Sequence, residues 1–421
     1  MAPRIALLMD QPTLVYFPGQ TITGHVQVQH KSKIKCKTLS IGFIGTAAVS
    51  FSTSETTRDH NGKHTTHHRT HSAQERYYES QMQLWADPSQ EMAPGPTKYP
   101  FSFLLPINIP PSFVGAHGKV MHEMTIKLES TKMFKDIKLT QPYSVNSLVD
   151  LNLNPTARMT QQQHQEKALC CWCCKSGPLS VMVHLNKTGY VPGESILIDA
   201  EIENNTKSKI TACRAKLRMN VCYKADLRMQ IESRTLSKIT KPQVTEVSEL
   251  SWNSEKIQIP PTPASPLPFC NIIDIEYQMK FFVSLQGINP AVEMTFPITV
   301  GTIPTVDAFP VATIPSMAMN FPYPPGGGQP STSAAGGFAT MPGLEQYPQI
   351  PPPTYQQAMA TSDHVQSSGG QSAPYKVDPE DNMAPSAPPA NFTPYYVSYN
   401  FQDTSQPQYL GAGEPEKKNL P

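Results

Sequence analysis

The chain has 421 residues, of which 34 are Lys or Arg and 33 are Asp or Glu, so its formal net charge is only +1. A nearly neutral balance argues against nucleic acid as the main partner, and the length leaves room for two or three domains. No stretch approaches the roughly 20 apolar residues of a membrane span, and the apolar run near the first residue is too short for a signal peptide. We therefore expect a cytosolic protein.

The first 300 or so residues predict β-strands, because apolar side chains alternate with polar ones between turn signals. In KVMHEMTIKLE, one face carries Val120, His122, Met124, Ile126 and Leu128. In DIEYQMKFFVSL, one face carries Ile275, Tyr277, Met279, Phe281, Val283 and Leu285. Long helical periodicity is absent, and QQQHQEKAL at 161–169 predicts at most one or two helical turns.

An internal repeat predicts two domains of one kind. VYFPGQTITGHVQV at 15–28 and GYVPGESILIDAEI at 189–202 share Y-x-P-G-x-x-I. Pro and Gly form the turn, and the strand that follows alternates in both copies: Ile22, Gly24, Val26 and Val28, then Ile196, Ile198, Ala200 and Ile202. We predict an all-β fold of two tandem antiparallel, Ig-like β-sandwiches, at residues 1–150 and 178–305, with a linker at 151–177.

The histidine-rich stretch HNGKHTTHHRTH raises the question of a metal site, because imidazole binds Zn²⁺ and Cu²⁺. Its histidines are His60, His64, His67, His68 and His71. Their spacing fits no helical metal motif, and the Thr, Asn, Gly and Arg between them favour a long, solvated hairpin loop. We predict no metal ligand here.

The eight cysteines are not spaced like a secreted disulfide framework, so we expect reduced thiols. Four of them form CCWCC at 170–174, and the others are Cys36, Cys213, Cys222 and Cys270. A zinc site would need Cys213 and Cys222 as its second pair, but these lie nine residues apart in predicted strands. Buried or interdomain thiols are therefore preferred, with S-acylation as a minor alternative. Cys270 is interpreted as a core cysteine at the start of a strand. Nucleophile, phosphate-loop and zinc-protease motifs are absent, so we predict no catalytic residue, no cofactor and no enzyme.

The region 306–421 is predicted to be a disordered, Pro-rich tail. Of the 43 prolines, 21 lie between Pro304 and Pro421, where Ile and Leu are few. Such a segment buries too little apolar area to offset its conformational entropy.

Several stretches taken together resemble the arrestin domain-containing proteins, the α-arrestins. They are YFPGQTITGHVQV, LLPINIPPSFVGAHGKVMHEMTIKL, QPYSVNSLVDLN, CCWCCKSGPLSVMVHLNKTGYVPGESILIDAEIENN and FCNIIDIEYQMKFFVSL, followed by VGTIP. The resemblance runs in order from residue 5 to residue 305. It implies an arrestin-like N-terminal and C-terminal domain and a tail that carries a PPxY motif.

The tail contains that motif as Pro352, Pro353, Thr354 and Tyr355. Its prolines favour the polyproline II conformation that WW domains bind, and Tyr355 supplies an aromatic anchor. The resemblance implies HECT-type ubiquitin ligases as the WW-domain partners. The alternative is a linker with a stray tyrosine. TPYY at 393–396 and FPYPP at 321–325 lack the spacing, so no second WW site is predicted.

A second motif, Pro385, Ser386, Ala387 and Pro388, is similar to the P[ST]AP sequence that the UEV domain of ESCRT-I binds. Because Ser, Ala and Pro are abundant around it, chance occurrence remains an equal alternative.

The predicted function is that of an adaptor. By resemblance, the sandwiches bind cytoplasmic segments of membrane receptors or transporters, through strand addition or their concave faces. The tail recruits the ligase and promotes cargo ubiquitination, endocytosis and endosomal sorting, at the plasma membrane and endosomes. The first rival is a sorting or budding scaffold that recruits ESCRT-I without cargo ubiquitination. The second is a thiol or metal protein.

Overall fold

The structure is a computed structural model that describes residues 3–11, 14–58, 64–87, 91–131, 135–168, 177–241, 249–306, 392–399 and 401. Within these residues the helical elements are two 3₁₀ turns, Leu151–Leu153 and Pro155–Arg158. Strands make up most of the rest, so the predicted all-β fold is confirmed. Among the described residues no helix is long and apolar enough to cross a membrane.

The first sandwich contains two sheets. One consists of β1 (Arg4–Met9), β3 (Thr21–His30) and β6 (Gly95–Leu104), in the spatial order β1–β3–β6. The other consists of β2 (Val15–Tyr16), β4 (Cys36–Arg58), β5 (His64–Trp85), β7 (Phe113–Val114), β8 (Gly118–Ser130) and β9 (Ile137–Val145). Its order is β2–β9–β8–β4–β5, and β7 pairs with β8.

The second sandwich repeats this arrangement. One sheet consists of β10 (Gln161–Lys167), β11 (Leu179–Leu185), β13 (Ser195–Asn204) and β16 (Glu249–Gln258), in that spatial order. The other consists of β12 (Gly189–Tyr190), β14 (Ile210–Ala225), β15 (Arg228–Lys241), β17 (Ile273–Leu285) and β18 (Ile288–Val300). Its order is β12–β18–β17–β14–β15.

The two copies of the sequence repeat occupy equivalent places. The tyrosine before each Pro-Gly turn lies on a two-residue strand, and that strand pairs in parallel with the strand at the end of its own domain: Tyr16 with Val145 and Tyr190 with Val300. All other strand pairs between the named strands are antiparallel in the described chain. The alternating side chains predicted to face inward on β3, β8, β13 and β17 are buried.

The cores of the two sandwiches are not separate. The buried cluster of the second sandwich extends into the first, where it includes Val49 and Phe51 on β4, Phe113 on β7 and Val120 on β8. Burial of apolar surface across a domain boundary resists relative movement of the domains, because opening the boundary exposes that surface to water.

Three local expectations were wrong. Residues 161–167, predicted to form at most one or two helical turns inside a linker, form β10, which pairs with β11 along its whole length. Most of the histidine-rich stretch is not a loop but part of β5, paired with β4 as far as Arg58 and His64. Part of the tail that was predicted to be disordered, residues 392–399, packs against the two sandwiches. In all three cases tertiary pairing overrides weak local signals.

Candidate functional site: the interdomain junction

The residues of both predicted motifs lie outside the described part of the chain. This applies to Pro352, Pro353, Thr354 and Tyr355 of the PPxY motif, and to Pro385, Ser386, Ala387 and Pro388 of the PSAP motif. The described site that bears on function is instead the junction between the two sandwiches.

Two equivalent turns form the walls of the junction. Gly19 and Gly193 both adopt positive φ, +80° and +93°, which glycine reaches without steric cost. In the first turn the Phe17 N–H donates to Gln20 Oε1 at 3.0 Å. In the second, the Val191 N–H donates to Glu194 Oε2 at 3.2 Å. The same side-chain position therefore caps both turns.

The second turn has an additional charge interaction. Glu194 forms an ion pair with Lys187, and both side chains are only 12% exposed. Burial raises the pKa of Glu194, although Lys187 and the Val191 N–H act in the opposite direction. The Lys187 ammonium also lies 4.9 Å from the centre of the Tyr190 ring, a cation–π geometry.

A buried apolar cluster, here called the junction cluster, joins the two turns. Its members are Phe17, Leu151, Ala157, Val191, Val397 and Tyr399. Phe17 and Val191 are the matching residues of the two Y-x-P-G repeats, and Leu151 and Ala157 belong to the connection between the domains. Val397 and Tyr399 come from the far end of the chain.

The residues 392–399 and 401, here called the C-terminal segment, cross the junction without forming a helix or a strand. The Tyr395 N–H donates to Ser144 Oγ at 3.2 Å, in the first sandwich. The Tyr399 N–H donates to the Pro192 carbonyl at 2.9 Å, and the Tyr399 hydroxyl donates to the Thr302 carbonyl at 2.6 Å, both in the second. The segment therefore bonds to both domains.

Tyr396 of the C-terminal segment lies near Arg234 and Tyr277, both in the second sandwich. Burial raises the pKa of Tyr396, and the Arg234 guanidinium on β15 opposes this shift. Burial also raises the pKa of Tyr277, a core residue of β17, with a smaller contribution from nearby Tyr396. Both tyrosines are therefore neutral at physiological pH.

Two carboxylates connect the sandwiches elsewhere. Glu75 on β5 accepts hydrogen bonds from the backbone N–H and the side-chain amide of Asn271, at 3.1 and 2.9 Å. Glu232 on β15 accepts from the Ala116 N–H at 3.1 Å and from the Tyr223 hydroxyl at 2.7 Å. Each carboxylate thus accepts at least one hydrogen bond from the other domain, an arrangement that fixes relative orientation.

Comparison with known proteins assigns both sandwiches. Residues 5–152 match the family described as "Arrestin (or S-antigen), N-terminal domain", and residues 175–305 match "Arrestin (or S-antigen), C-terminal domain". The chain belongs to the arrestin domain-containing family. Both matches end before the C-terminal segment.

Curated relatives agree with this assignment. The chain is 28% identical to human arrestin domain-containing protein 1 over 313 residues, which cover 74% of this chain and 66% of that relative. It is 27% identical to human arrestin domain-containing protein 4, covering 70% of each chain. It is also 27% identical to arrestin domain-containing protein 17 of Caenorhabditis elegans, covering 72% and 71%. The chain thus spans slightly less than two thirds of the first of these relatives.

In this arrestin-like body the histidine-rich stretch is split between two environments. His64, His67 and His68 are exposed on β5, whereas His71 is buried, and His60 lies outside the described residues. The His71 Nδ1 lies 3.4 Å from Asp226 Oδ2 in the turn between β14 and β15. No group of three or more potential metal ligands is close together within the described residues.

The described cysteines do not form a reactive pair. Cys213 and Cys222 lie on β14 nine positions apart, an odd number that places them on opposite faces of the strand. Burial raises the pKa of Cys213 to about 12. Cys270, predicted to be a core cysteine at a strand start, is half-buried, precedes β17 and lies beside Tyr77 of the first sandwich. The CCWCC cluster lies outside the described residues.

The turn between β14 and β15 carries an exposed apolar stripe. Leu227 in the turn and Met229 and Ile231 on β15 are 105%, 67% and 63% exposed, and Met229 and Ile231 lie on the same face of the strand. The turn lies against the long β4–β5 hairpin, where Arg228 approaches Glu55 at 3.5 Å. Contiguous exposed apolar side chains at the tip of a rigid hairpin are typical of a protein-binding surface.

The sequence did contain a signal for the C-terminal segment. Between Phe392 and Phe401, five of the ten residues are aromatic, in a tail otherwise rich in Pro, Gly and Ser. TPYY lacks the spacing of a WW motif, but that criterion does not test for burial against the chain's own body. Aromatic density of this kind favours burial against a partner surface, which here is the chain's own body.

Proposed function

We propose that the protein is an adaptor that links membrane-protein cargo to a WW-domain, HECT-type ubiquitin ligase. The observation that carries the proposal is the combination, on one chain, of two arrestin domains and a PPxY motif at Pro352, Pro353 and Tyr355. The body binds cargo, and the motif recruits the ligase. Proximity then raises the effective concentration of the ligase at the lysines of the cargo, so no bond is made by this chain itself.

Two surfaces of the body support cargo binding. The stripe formed by Leu227, Met229 and Ile231 offers apolar anchors for a cytoplasmic segment of a receptor or transporter. Strand β1 forms one edge of its sheet in the described chain and contains no proline, so its backbone can accept an added strand. The opposite edge, β6, contains Pro96 and Pro100, which cannot donate hydrogen bonds.

The first test is ligase recruitment. Replacing Tyr355 by Ala removes the aromatic anchor and should weaken a micromolar interaction with an isolated WW domain by about 2 kcal/mol, or roughly 30-fold. Isothermal titration calorimetry with the full chain measures this. Tyr347→Ala is the matched control, because Tyr347 lies in the same tail but follows no Pro-Pro pair. Equal affinities of the two variants would contradict the assignment.

The second test is cargo ubiquitination in cells. The adaptor proposal expects ligase-dependent ubiquitination of a membrane protein that the chain binds, and its loss in Pro353→Ala and Tyr355→Ala variants. Such a result also requires localisation at the plasma membrane or endosomes, which fluorescence microscopy of the tagged full chain measures. Ubiquitination that persists in both variants would contradict the proposal.

The PSAP sequence favours a second candidate, a sorting or budding scaffold that recruits ESCRT-I. Its four residues, Pro385, Ser386, Ala387 and Pro388, match the required order. Under this candidate, Pro388→Ala removes ESCRT-I from a pull-down, whereas the adjacent Pro389→Ala does not, and cargo ubiquitination is unaffected by either. Retention of ESCRT-I by the Pro388→Ala variant would contradict the scaffold candidate.

A further inference from the structure

The C-terminal segment contacts a site that both domains build together. Ser144 belongs to the first sandwich, Leu151 and Ala157 to the connection, and Pro192 and Thr302 to the second sandwich. A peptide that contacts the first sandwich, the connection and the second sandwich can stay bound only while these three regions keep their relative positions. Conversely, the bound peptide opposes any rotation of one sandwich against the other.

The second Pro-Gly turn is shaped for close approach of the segment's backbone. A β-carbon at Gly193 would lie 1.8 Å from the Tyr399 carbonyl oxygen, well inside contact distance. The absence of a side chain here allows the Tyr399 N–H to reach the Pro192 carbonyl at 2.9 Å. Because the proline nitrogen has no hydrogen to donate in return, the contact consists of single bonds rather than a continuous β-ladder.

Alternate side chains of the segment provide the apolar part of the contact. Val397 and Tyr399 are only 2% and 8% exposed, and both belong to the junction cluster with Phe17 and Val191. Between them, Ser398 is only half-buried. The period of two is that of an extended chain lying on a surface.

The hydroxyl of Tyr399 adds specificity to this apolar contact. It donates to the Thr302 carbonyl at 2.6 Å in a buried position, so a phenylalanine would leave that acceptor without this partner. A phosphorylated tyrosine would place a doubly charged group in the same space.

We propose that the junction is a binding site for an extended peptide of the pattern Tyr-Val-x-Tyr, and that the C-terminal segment, residues 392–399 and 401, occupies it in cis as a detachable clasp across the two sandwiches. The tail is then fixed at two points, since the Val306 N–H also donates to Asn152 Oδ1 at 3.1 Å. The PPxY and PSAP motifs both lie between these points along the sequence. The proposal does not depend on the identity of the tail's partners.

The test uses the full chain in two forms. In the open variant, Val397→Asp and Tyr399→Ala disable the chain's own segment without changing the sandwiches. A fluorescein-labelled peptide of residues 391–401 is titrated into each form and followed by fluorescence anisotropy. We expect binding to the open variant and at least about tenfold weaker binding to the wild-type chain, because a tethered segment competes at millimolar effective concentration.

A control peptide carries the same two substitutions and should bind neither form. Equal binding of the wild-type peptide to both forms would overturn the proposal, as would binding to the open variant no tighter than that of the control peptide. A peptide phosphorylated at Tyr399 should bind the open variant at least about tenfold more weakly than the unmodified peptide. The buried position of the Tyr399 hydroxyl has no solvent to stabilise the negative charge of a phosphate group.

Hydrogen exchange of the wild-type chain provides a measurement that needs no substitution. The Tyr399 amide should exchange at least about tenfold more slowly in the full chain than in the free peptide, because it is hydrogen-bonded and buried. This protection should not change with protein concentration. Exchange as fast as in the free peptide, or protection that appears only at concentrations where the chain self-associates, would overturn binding in cis.

Discussion

The two sandwiches use the same turn but bury different groups around it. The first turn is capped by a neutral amide, Gln20, whereas the second is capped by Glu194, which also pairs with Lys187. The first sandwich in turn buries a titratable residue, His122, which hydrogen-bonds to the Tyr78 hydroxyl, and that hydroxyl also bonds to the Tyr143 hydroxyl. The repeated backbone therefore follows from the shared local sequence, while the electrostatics of each copy depend on what packs around it.

The buried histidine of the first sandwich has a defined proton arrangement. His122 Nε2 lies 3.0 Å from the Pro110 carbonyl, which can only accept, so Nε2 carries the hydrogen. The Tyr78 hydroxyl then donates to Nδ1 at 2.8 Å, and the Tyr143 hydroxyl donates to Tyr78 at 2.7 Å. Burial lowers the pKa of His122 to about 4, against a smaller opposing effect of the Pro110 carbonyl.

The largest expected effect is a pH dependence of stability that comes from His122 in the first sandwich. Because the pKa of His122 is about 4 in the folded chain and about 6.5 when unfolded, only the unfolded chain takes up a proton between these values. The contribution of His122 to the free energy of unfolding is fully present above about pH 6.5. As the pH falls toward 4, this contribution decreases by about 3 kcal/mol in total.

Urea unfolding at a series of pH values measures this loss. In a His122→Gln variant, the part of the pH dependence that comes from His122 should disappear between about pH 6.5 and pH 4. The comparison is between slopes rather than absolute stabilities, since the substitution itself disturbs a buried site. Identical slopes in the two proteins would show that His122 is not the group responsible.

A smaller effect is expected at the second turn. Glu194→Ala removes the cap of Val191 and leaves Lys187 without its carboxylate in a mostly buried position, which should destabilise the protein by about 2 kcal/mol. In the double variant with Lys187→Met, part of the loss should be recovered, because no unpaired charge remains. Chemical denaturation of the four proteins in this cycle gives the coupling free energy. Strictly additive losses would indicate that the pair contributes nothing.

The smallest effect is expected at the first turn. Gln20→Ala removes the same backbone cap but no charge, so the free energy of unfolding should fall by only about 1 kcal/mol. Thermal unfolding, compared with that of Glu194→Ala under the same conditions, tests the difference directly. If Gln20→Ala were as damaging as Glu194→Ala, the ion pair could not explain the contrast between the turns.

Much of the fold was predictable because alternation of apolar residues directly specifies which side of a strand is buried. Val120, Met124 and Ile126 on β8 and their counterparts on β17 face the core as predicted. Strand β10 was missed because its sequence, QQQHQEK, has no alternation and lies at the edge of its sheet. It is held by pairing with β11 and by Gln163, whose amide donates to the Thr295 carbonyl at 2.8 Å.

The junction was not predictable from local patterns. Tyr399 and Thr302 are 97 residues apart in the sequence and meet only in the folded chain. In isolation, the aromatic residues of the tail looked like a failed binding motif for an external partner. Their actual surroundings depend on Phe17 and Val191, which the two repeats bring to the same junction.

The sequence by itself determined the strands with alternating apolar residues, the repeat, the two arrestin-like sandwiches and the PPxY and PSAP motifs, because each of these depends on residues that are close together in the chain. Tertiary structure alone decided how the sandwiches share a core, that His71 of the histidine-rich stretch is buried, and where the C-terminal segment binds. These features depend on contacts between distant residues, whose burial and hydrogen bonding arise only when both partners are already in place.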